Sequence, residues 1–435
     1  MGTEPVDLIL TADAVLTVDA AGTIVQAGAV AIRAGVIVGV GPAVDLRARF
    51  DAAEVLESPG CAIAPGWVNT HTHLAMNLFR GAADDVTLEV FLERMVAAEL
   101  STLSAATVAV GARAGIAECL AGGTTTALDM YWFPRATRGV AAEAGFRLLN
   151  GPIFLGTEDP EGRDFAGMLE EARSILADNR AESPDDALWV MPHSAYTLGR
   201  DQLESIRKLA ADVDARIHTH ASESLGELAL TVQVNGDRPV AVLDAAGLLT
   251  AHTVLAHAVH LTDEEIARVA ASGAAVAHCP MSNLKLGCGI ARLPELLQHG
   301  AAVGLGTDGA ASAGALDMYA AVRMAALLHK GTSNDPTMIS AERAVRLGTV
   351  DGARALGLAD VGTIEPGMQA DLQVVRIDTL NAGPSRDPWS ALAYTATATD
   401  VRHTIVRGKI VLRDRVLQTI NEKVALRELS EAAAR

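Results

Sequence analysis

The chain has 435 residues, half of them hydrophobic and 20% charged, with a formal net charge of −18 and only five lysines; this excludes a disordered chain and, with no basic run, gives no support to nucleic-acid binding. Cys61, Cys119, Cys279 and Cys288 are widely spaced with no CxxC, which excludes a zinc ribbon and argues against a disulfide framework. No run of 18 or more apolar residues is present, so no membrane span is expected, and the length suits one large domain plus a smaller one.

The first 60 residues read as short strands at 7–10, 14–17, 29–33 and 36–39, β-branched stretches separated by Gly, Asp and Ala turns. The N-terminus lacks a basic stretch ahead of an apolar one, so a cytoplasmic protein is expected. From about residue 65 to 358 the pattern becomes a βα rhythm. Strand candidates fall at 67–69, 124–128, 148–154, 188–191, 216–218, 253–256, 274–277 and 303–306, each followed by an amphipathic stretch. Eight strands alternating with helices predict a (β/α)₈ barrel. Strand patterns return at 372–376, 401–406 and 409–412, so both termini are expected to build one small β-sandwich. The division is therefore 1–61 with 362–415 for the sandwich, 62–361 for the barrel, and 416–435 for a C-terminal helix.

The polar residues at the strand ends carry the chemistry. Strand 1 ends in His71-Thr-His73, strand 4 in His193, strand 5 in His218-Thr-His220, strand 6 in His257, strand 7 in His278 and strand 8 in Asp308. Seven of the twelve histidines thus converge on the C-terminal face of a barrel, where barrel enzymes keep their sites. His71 and His73 lie two apart, so both imidazoles share one face of a strand. With His220 and Asp308 they make a three-nitrogen, one-oxygen set with room for water, which suits a catalytic zinc or similar ion. Glu223, three residues past His220, is placed to act as a general base on water.

Pro65-Gly-Trp-Val-Asn-Thr-His-Thr-His-Leu-Ala-Met-Asn-Leu-Phe-Arg80 resembles the first-strand signature of the amidohydrolase superfamily, and within it the methylthioadenosine/S-adenosylhomocysteine deaminases and their chlorohydrolase relatives. Pro192-His-Ser-Ala-Tyr-Thr197, His218-Thr-His-Ala-Ser-Glu223, Ser282-Asn-Leu-Lys-Leu286, Gly306-Thr-Asp-Gly-Ala-Ala-Ser312 and Gly362-Thr-Ile-Glu-Pro-Gly367 resemble the same branch, so the likeness spans residues 5–415. The resemblance implies one Zn²⁺ per chain on His71, His73, His220 and Asp308. It implies Glu223 as proton shuttle and substrate contact, His257 orienting the attacking oxygen, and Asp308 passing a proton to departing ammonia. Glu99 would bind ribose hydroxyls and His193 the nucleoside, with Arg163 a candidate partner for an amino-acid carboxylate on the substrate.

The expected substrate is a purine nucleoside of the 5′-methylthioadenosine, S-adenosylhomocysteine or adenosine type; a homo-oligomer is left open. The alternatives on the same metal site are a guanine, 8-oxoguanine or pterin deaminase and an s-triazine chlorohydrolase. One departure bears on the choice: Ala313-Gly314-Ala315 stands where the branch carries a polar run beside the substrate. No lysine ends strand 4, so a two-metal centre bridged by a carboxylated lysine is not expected.

Overall fold

A computed structural model describes residues 3–183, 186–384 and 387–434; residues 1, 2 and 435 of the expected terminal segments lie outside the described residues. The chain opens with β1 (Glu4–Leu16), β2 (Ile24–Gln26), β3 (Gly28–Arg33), β4 (Val36–Pro42) and β5 (Phe50–Pro65). The two short strands expected at 7–10 and 14–17 fall, apart from Thr17, within one β1, in which Thr11 and Ala12 pair with β5 and the register shifts between Ala12 and Ala14. β5 itself escapes a sequence reading. Its first ten residues include Asp51, Glu54, Glu57 and Pro59, residue types depleted in strands and exposed here, and only its last five residues are continuously buried.

The middle of the chain supplies β6 (Trp67–His73), β7 (Thr124–Asp129), β8 (Arg147–Asn150), β9 (Ile153–Phe154), β10 (Trp189–Pro192), β11 (Arg216–Ala221), β12 (Thr253–His257), β13 (Ala275–His278), β14 (Ala302–Leu305) and β15 (Asp308–Gly309). They form two parallel sheets, ordered β14-β13-β12-β11-β10-β9 and β15-β6-β7-β8. Helices intervene, and their starts follow local chemistry. Before helix Asp263–Ser272, for example, Thr262 accepts from the Glu265 N–H while the Glu265 carboxylate accepts from the Thr262 N–H.

Two expected strands are interrupted. Between β8 and β9, Pro152 has no N–H for a ladder, and a Cβ on Gly151 would lie 1.9 Å from the Trp189 carbonyl oxygen. Pro152 still accepts from the Met191 N–H at 2.9 Å, so the neighbouring strand stays attached across the break. Gly306 and Thr307 similarly separate β14 from β15, which pairs with β6 through Asp308 and Thr72.

The chain returns to the first sheet with β16 (Leu372–Arg376), β17 (Val401–Val406), β18 (Lys409–Arg413) and β19 (Val416–Leu417), followed by helix Glu422–Ala433. The expected sandwich is instead one mixed sheet, ordered β19-β18-β17-β16-β5-β1-β3-β4 with β2 on β1. The reason lies in β1 and β5, 13 and 16 residues long, which pair in parallel and join the two terminal groups of strands. The C-terminal segment opens with β19, not with helix. Among the described residues no helix is long and apolar enough to cross a membrane.

The architecture is α/β, with its largest buried side chains, Trp67 and Trp189, inside the parallel sheets. The C-terminal ends of those strands are as buried as the apolar core. Asn69, Thr70, His71 and Thr72 are each 0% exposed, an unusual density of buried polar groups.

Candidate metal centre and active site

β6 and β11 bring His71, His73 and His220 together, and their ligand nitrogens lie within 4.8 Å of one another; His71, His257 and Asp308 form a second such group. Asp308 Oδ1 stands 3.4 Å from His71 Nε2 and 3.2 Å from His73 Nε2. The structure therefore assembles all four expected metal ligands, with His257 at the rim.

Hydrogen bonds fix which nitrogen of each ring faces the centre. His73 Nδ1 donates to the Met130 carbonyl and His220 Nδ1 to the His193 carbonyl at 2.8 Å. His218 Nδ1 donates to the Val254 carbonyl at 3.0 Å, so its Nε2 is a bare acceptor, and His71 Nδ1 donates to it at 2.8 Å. All three candidate imidazoles thereby direct Nε2 inward. His71 Nε2 is buried with no hydrogen-bond partner, an orphan that a divalent cation would satisfy. The donor set fits zinc.

Charge is distributed accordingly. Burial alone would raise the Asp308 carboxyl, but the close approach of His71 and His73 holds it well below the ordinary range. Burial pushes His71 down to about 4 and His193 to about 3, and holds His220 and His218 well below their ordinary value. Against the same burial, Asp308 lifts His73 to about 9. Asp308 is further anchored by the Ser282 hydroxyl, which donates to Oδ2 at 2.6 Å, and by the Gly309 N–H at 2.7 Å on Oδ1.

Glu223, the expected proton-transfer group, sits beside the candidate ligands. Glu223 Oε1 lies 3.8 Å from His257 Nε2, and burial, opposed by His257, raises the Glu223 carboxyl to about 7. His257 Nδ1 donates to Asn283 Oδ1 at 2.8 Å, which turns Nε2 toward Glu223. The loop carrying Glu223 is held from behind. The buried Glu227 carboxylate accepts from the Ser222 N–H at 2.9 Å and from the Glu223 N–H, with Ser222 in left-handed backbone at φ 57°.

Glu99, on helix Leu88–Thr102, lines the same cavity as His73, His193, His220, Glu223, His257 and Asp308. Glu99 accepts from the Tyr131 hydroxyl at 2.6 Å and from Trp132 Nε1 at 3.2 Å, and burial raises its carboxyl. Arg163 is not brought to this cavity. It lines a neighbouring one, where it is tied to Asp159 at 2.7 Å and Glu161 at 2.5 Å. His278 is buried next to His329, ring centroids 5.7 Å apart, and reaches none of the four ligands.

The sequence reading missed His218 as the acceptor behind His71, Asn283 behind His257, Glu227 behind the Glu223 loop, and the Tyr131–Trp132 pair on Glu99. His218 and Asn283 stood inside recognised motifs; Glu227 carried no signal beyond its place on a mostly apolar helix, Leu225–Asn235.

The Amidohydrolase family profile matches residues 62–411, most of the chain. The chain belongs to the amidohydrolase family. Among its curated relatives is a 5-methylthioadenosine/S-adenosylhomocysteine deaminase of Haloarcula marismortui, 38% identical over 397 residues and 90% of each chain. A 5'-deoxyadenosine deaminase of Methanothermobacter thermautotrophicus is 39% identical over 388 residues, 88% of this chain and 89% of that one. Among solved structures, an adenosine deaminase from Xanthomonas campestris with bound zinc superimposes with a TM-score of 0.96 at 35% identity, covering 100% of this amidohydrolase and 99% of that chain.

Proposed function

We propose that this amidohydrolase is a zinc-dependent hydrolytic deaminase of adenine nucleosides of the 5′-methylthioadenosine, S-adenosylhomocysteine or adenosine type. The observation that carries the reading is one cavity holding both a proton-carrying carboxyl beside a metal-ligand set, Glu223, and a second buried carboxyl at a distance from it, Glu99. The relatives' names support the same substrate class. The fold that goes with it is a (β/α)₈ barrel in which β8 with β9, and β14 with β15, are the third and eighth staves. The domain division is 1–61 with 362–415, 62–361, and 416–435. We place the enzyme in the cytoplasm, with one zinc on His71, His73, His220 and Asp308 and a small nucleoside as its partner.

When bound, the metal supplies Lewis-acid activation of water. Every other part is the chain's own. Glu223, poised to gain and lose a proton near neutral pH, takes one proton from the water and delivers it to the ring nitrogen beside the carbon under attack. His257, turned by Asn283, accepts a hydrogen bond from the attacking oxygen and aims it. Asp308, kept ionised by its histidine neighbours, receives the second proton and passes it to the amine. A C–O bond forms, the C–N bond breaks, and ammonia leaves with the inosine analogue remaining. Glu99 accepts hydrogen bonds from the ribose hydroxyls, and His193 donates to the nucleoside.

The test is zinc content together with ammonia release on a panel of adenine nucleosides, guanine, 8-oxoguanine, a pterin and a chlorotriazine. The reading expects about one zinc per chain and ammonia from the adenine nucleosides. Chloride release from the triazine, or faster turnover of a bare ring than of any nucleoside, overturns it.

A further inference from the structure

Besides the metal ligands, Glu223, Glu99, His193 and His257, the cavity wall carries Tyr131, Trp132, Tyr196 and Ser312, but the rest is apolar: Leu88, Phe91, Leu92 and Met95 descend from helix Leu88–Thr102, and Ile153 and Leu155 face it from β9 and the loop after it. Among the described residues no lysine or arginine lines it. Two arginines, Arg135 and Arg163, line one adjoining cavity, which shares Trp132 and Ile153 with this one, while Lys285, paired with Asp84 at 2.7 Å, lines another, which shares Leu88 and Leu286. Both arginines are already matched, Arg163 by Asp159 and Glu161, and Arg135 by Glu171 and Asp178. With Asp159, Glu161 and Glu171 against Arg135 and Arg163, the adjoining cavity is not a receptor for another carboxylate.

We propose that the end of the cavity away from the metal takes an apolar 5′-substituent and rejects one bearing a carboxylate, so that 5′-deoxy-5′-alkylthioadenosines are favoured over S-adenosylhomocysteine. The inference rests on the nucleoside reading above. With the base at the metal and the ribose diol on Glu99, the 5′ carbon has the apolar wall as its remaining surroundings. A thioether there gains burial of its methyl or alkyl carbons. A 5′-hydroxyl gains nothing from burial against those carbons, a modest loss. An amino-acid carboxylate enters a region of apolar side chains and carboxylates without a cation, which is far more costly.

The experiment compares kcat/KM for 5′-methylthioadenosine, 5′-butylthioadenosine, adenosine and S-adenosylhomocysteine on the zinc-loaded enzyme. The expected order puts both alkylthio compounds first, adenosine about 10-fold lower and S-adenosylhomocysteine at least about 100-fold lower. Arg163→Ala is expected to leave the ratio of S-adenosylhomocysteine to methylthioadenosine unchanged, whereas Leu155→Arg, at a partly exposed position on the wall, is expected to raise it. Turnover of S-adenosylhomocysteine within about threefold of methylthioadenosine, or its selective loss in Arg163→Ala, would mean a carboxylate subsite exists and would overturn the inference with the deaminase reading intact. No deamination of any of the four would instead sink the deaminase reading itself.

Discussion

His218 gives the sharpest test of how the metal centre is built, because its substitution removes no ligand. A backbone carbonyl only accepts, so the bond from His218 Nδ1 to Val254 fixes the proton on that nitrogen. His218 Nε2 must then accept from His71 Nδ1, at 2.8 Å, and the His71 Nε2 lone pair is committed to the centre. In His218→Ala the His71 Nδ1–H is stranded in a buried position, which costs about 1–3 kcal/mol. The ring escapes part of that loss by moving its proton to Nε2, the tautomer that does not bind a cation. Since about 1.4 kcal/mol is a factor of ten, zinc affinity should fall roughly 10- to 100-fold, the range usual for partners that orient a ligand histidine. Competition against a chromogenic chelator measures the affinity directly, and a melting curve in excess chelator reports separately whether the metal-free fold survives. His218→Gln, whose side-chain oxygen accepts a hydrogen bond, should recover part of the loss. Unchanged zinc affinity in a folded His218→Ala protein would refute the tautomer argument.

Glu223→Gln should retain zinc and lose roughly 10² or more in kcat, since an amide cannot carry the proton; a wild-type rate would demote Glu223 to a loop residue. Because the shuttle acts first as a base, and its carboxyl is raised to about 7 by burial, kcat/KM should climb as pH rises through that region and fall as acid protonates Glu223. A flat profile from pH 5.5 to 8.5, a span of about three units around that value, would contradict the assignment. Glu99→Ala should raise KM for nucleosides about tenfold or more and narrow their advantage over free adenine, measured as ammonia release from each. Glu227→Ala leaves the Ser222 and Glu223 N–H groups unpaired, and at about 1–3 kcal/mol each urea denaturation should show a loss of several kcal/mol.

The clustering of His71, His73 and His220 was legible because histidines are rare at strand ends and alternate in His71-Thr-His73 and His218-Thr-His220, a signal that survives without coordinates. The strand boundaries were not. β6 runs to His73 and β11 to Ala221, several residues past where periodicity stops, because His, Thr and Asn at those ends are buried by one another and not by solvent. Read one at a time, such residues look like loop. Arg163 shows the opposite failure: a cation near the right strand in sequence, whose two acidic neighbours at 159 and 161 claim it before any substrate arrives. Glu227 was illegible in principle, since a glutamate on a helix with Leu225, Leu230 and Val232 exposed inverts the usual face rule, the carboxylate turning inward to serve backbone donors.

The Nδ1 bonds that orient the ligand rings have a second effect, which concerns how such a site can decay. His73 ties β6 to the backbone just past β7, and His220 ties β11 to the backbone just past β10. Each imidazole is therefore also a cross-strand staple whose mechanical duty is indifferent to the ion. A descendant of this chain that abandoned hydrolysis would still be penalised for discarding these rings, whereas Glu223, which bonds no strand, could drift at once. In this architecture the survival of the histidines is a record of cohesion between strands, and the carboxylate after them is the marker of chemistry still in use.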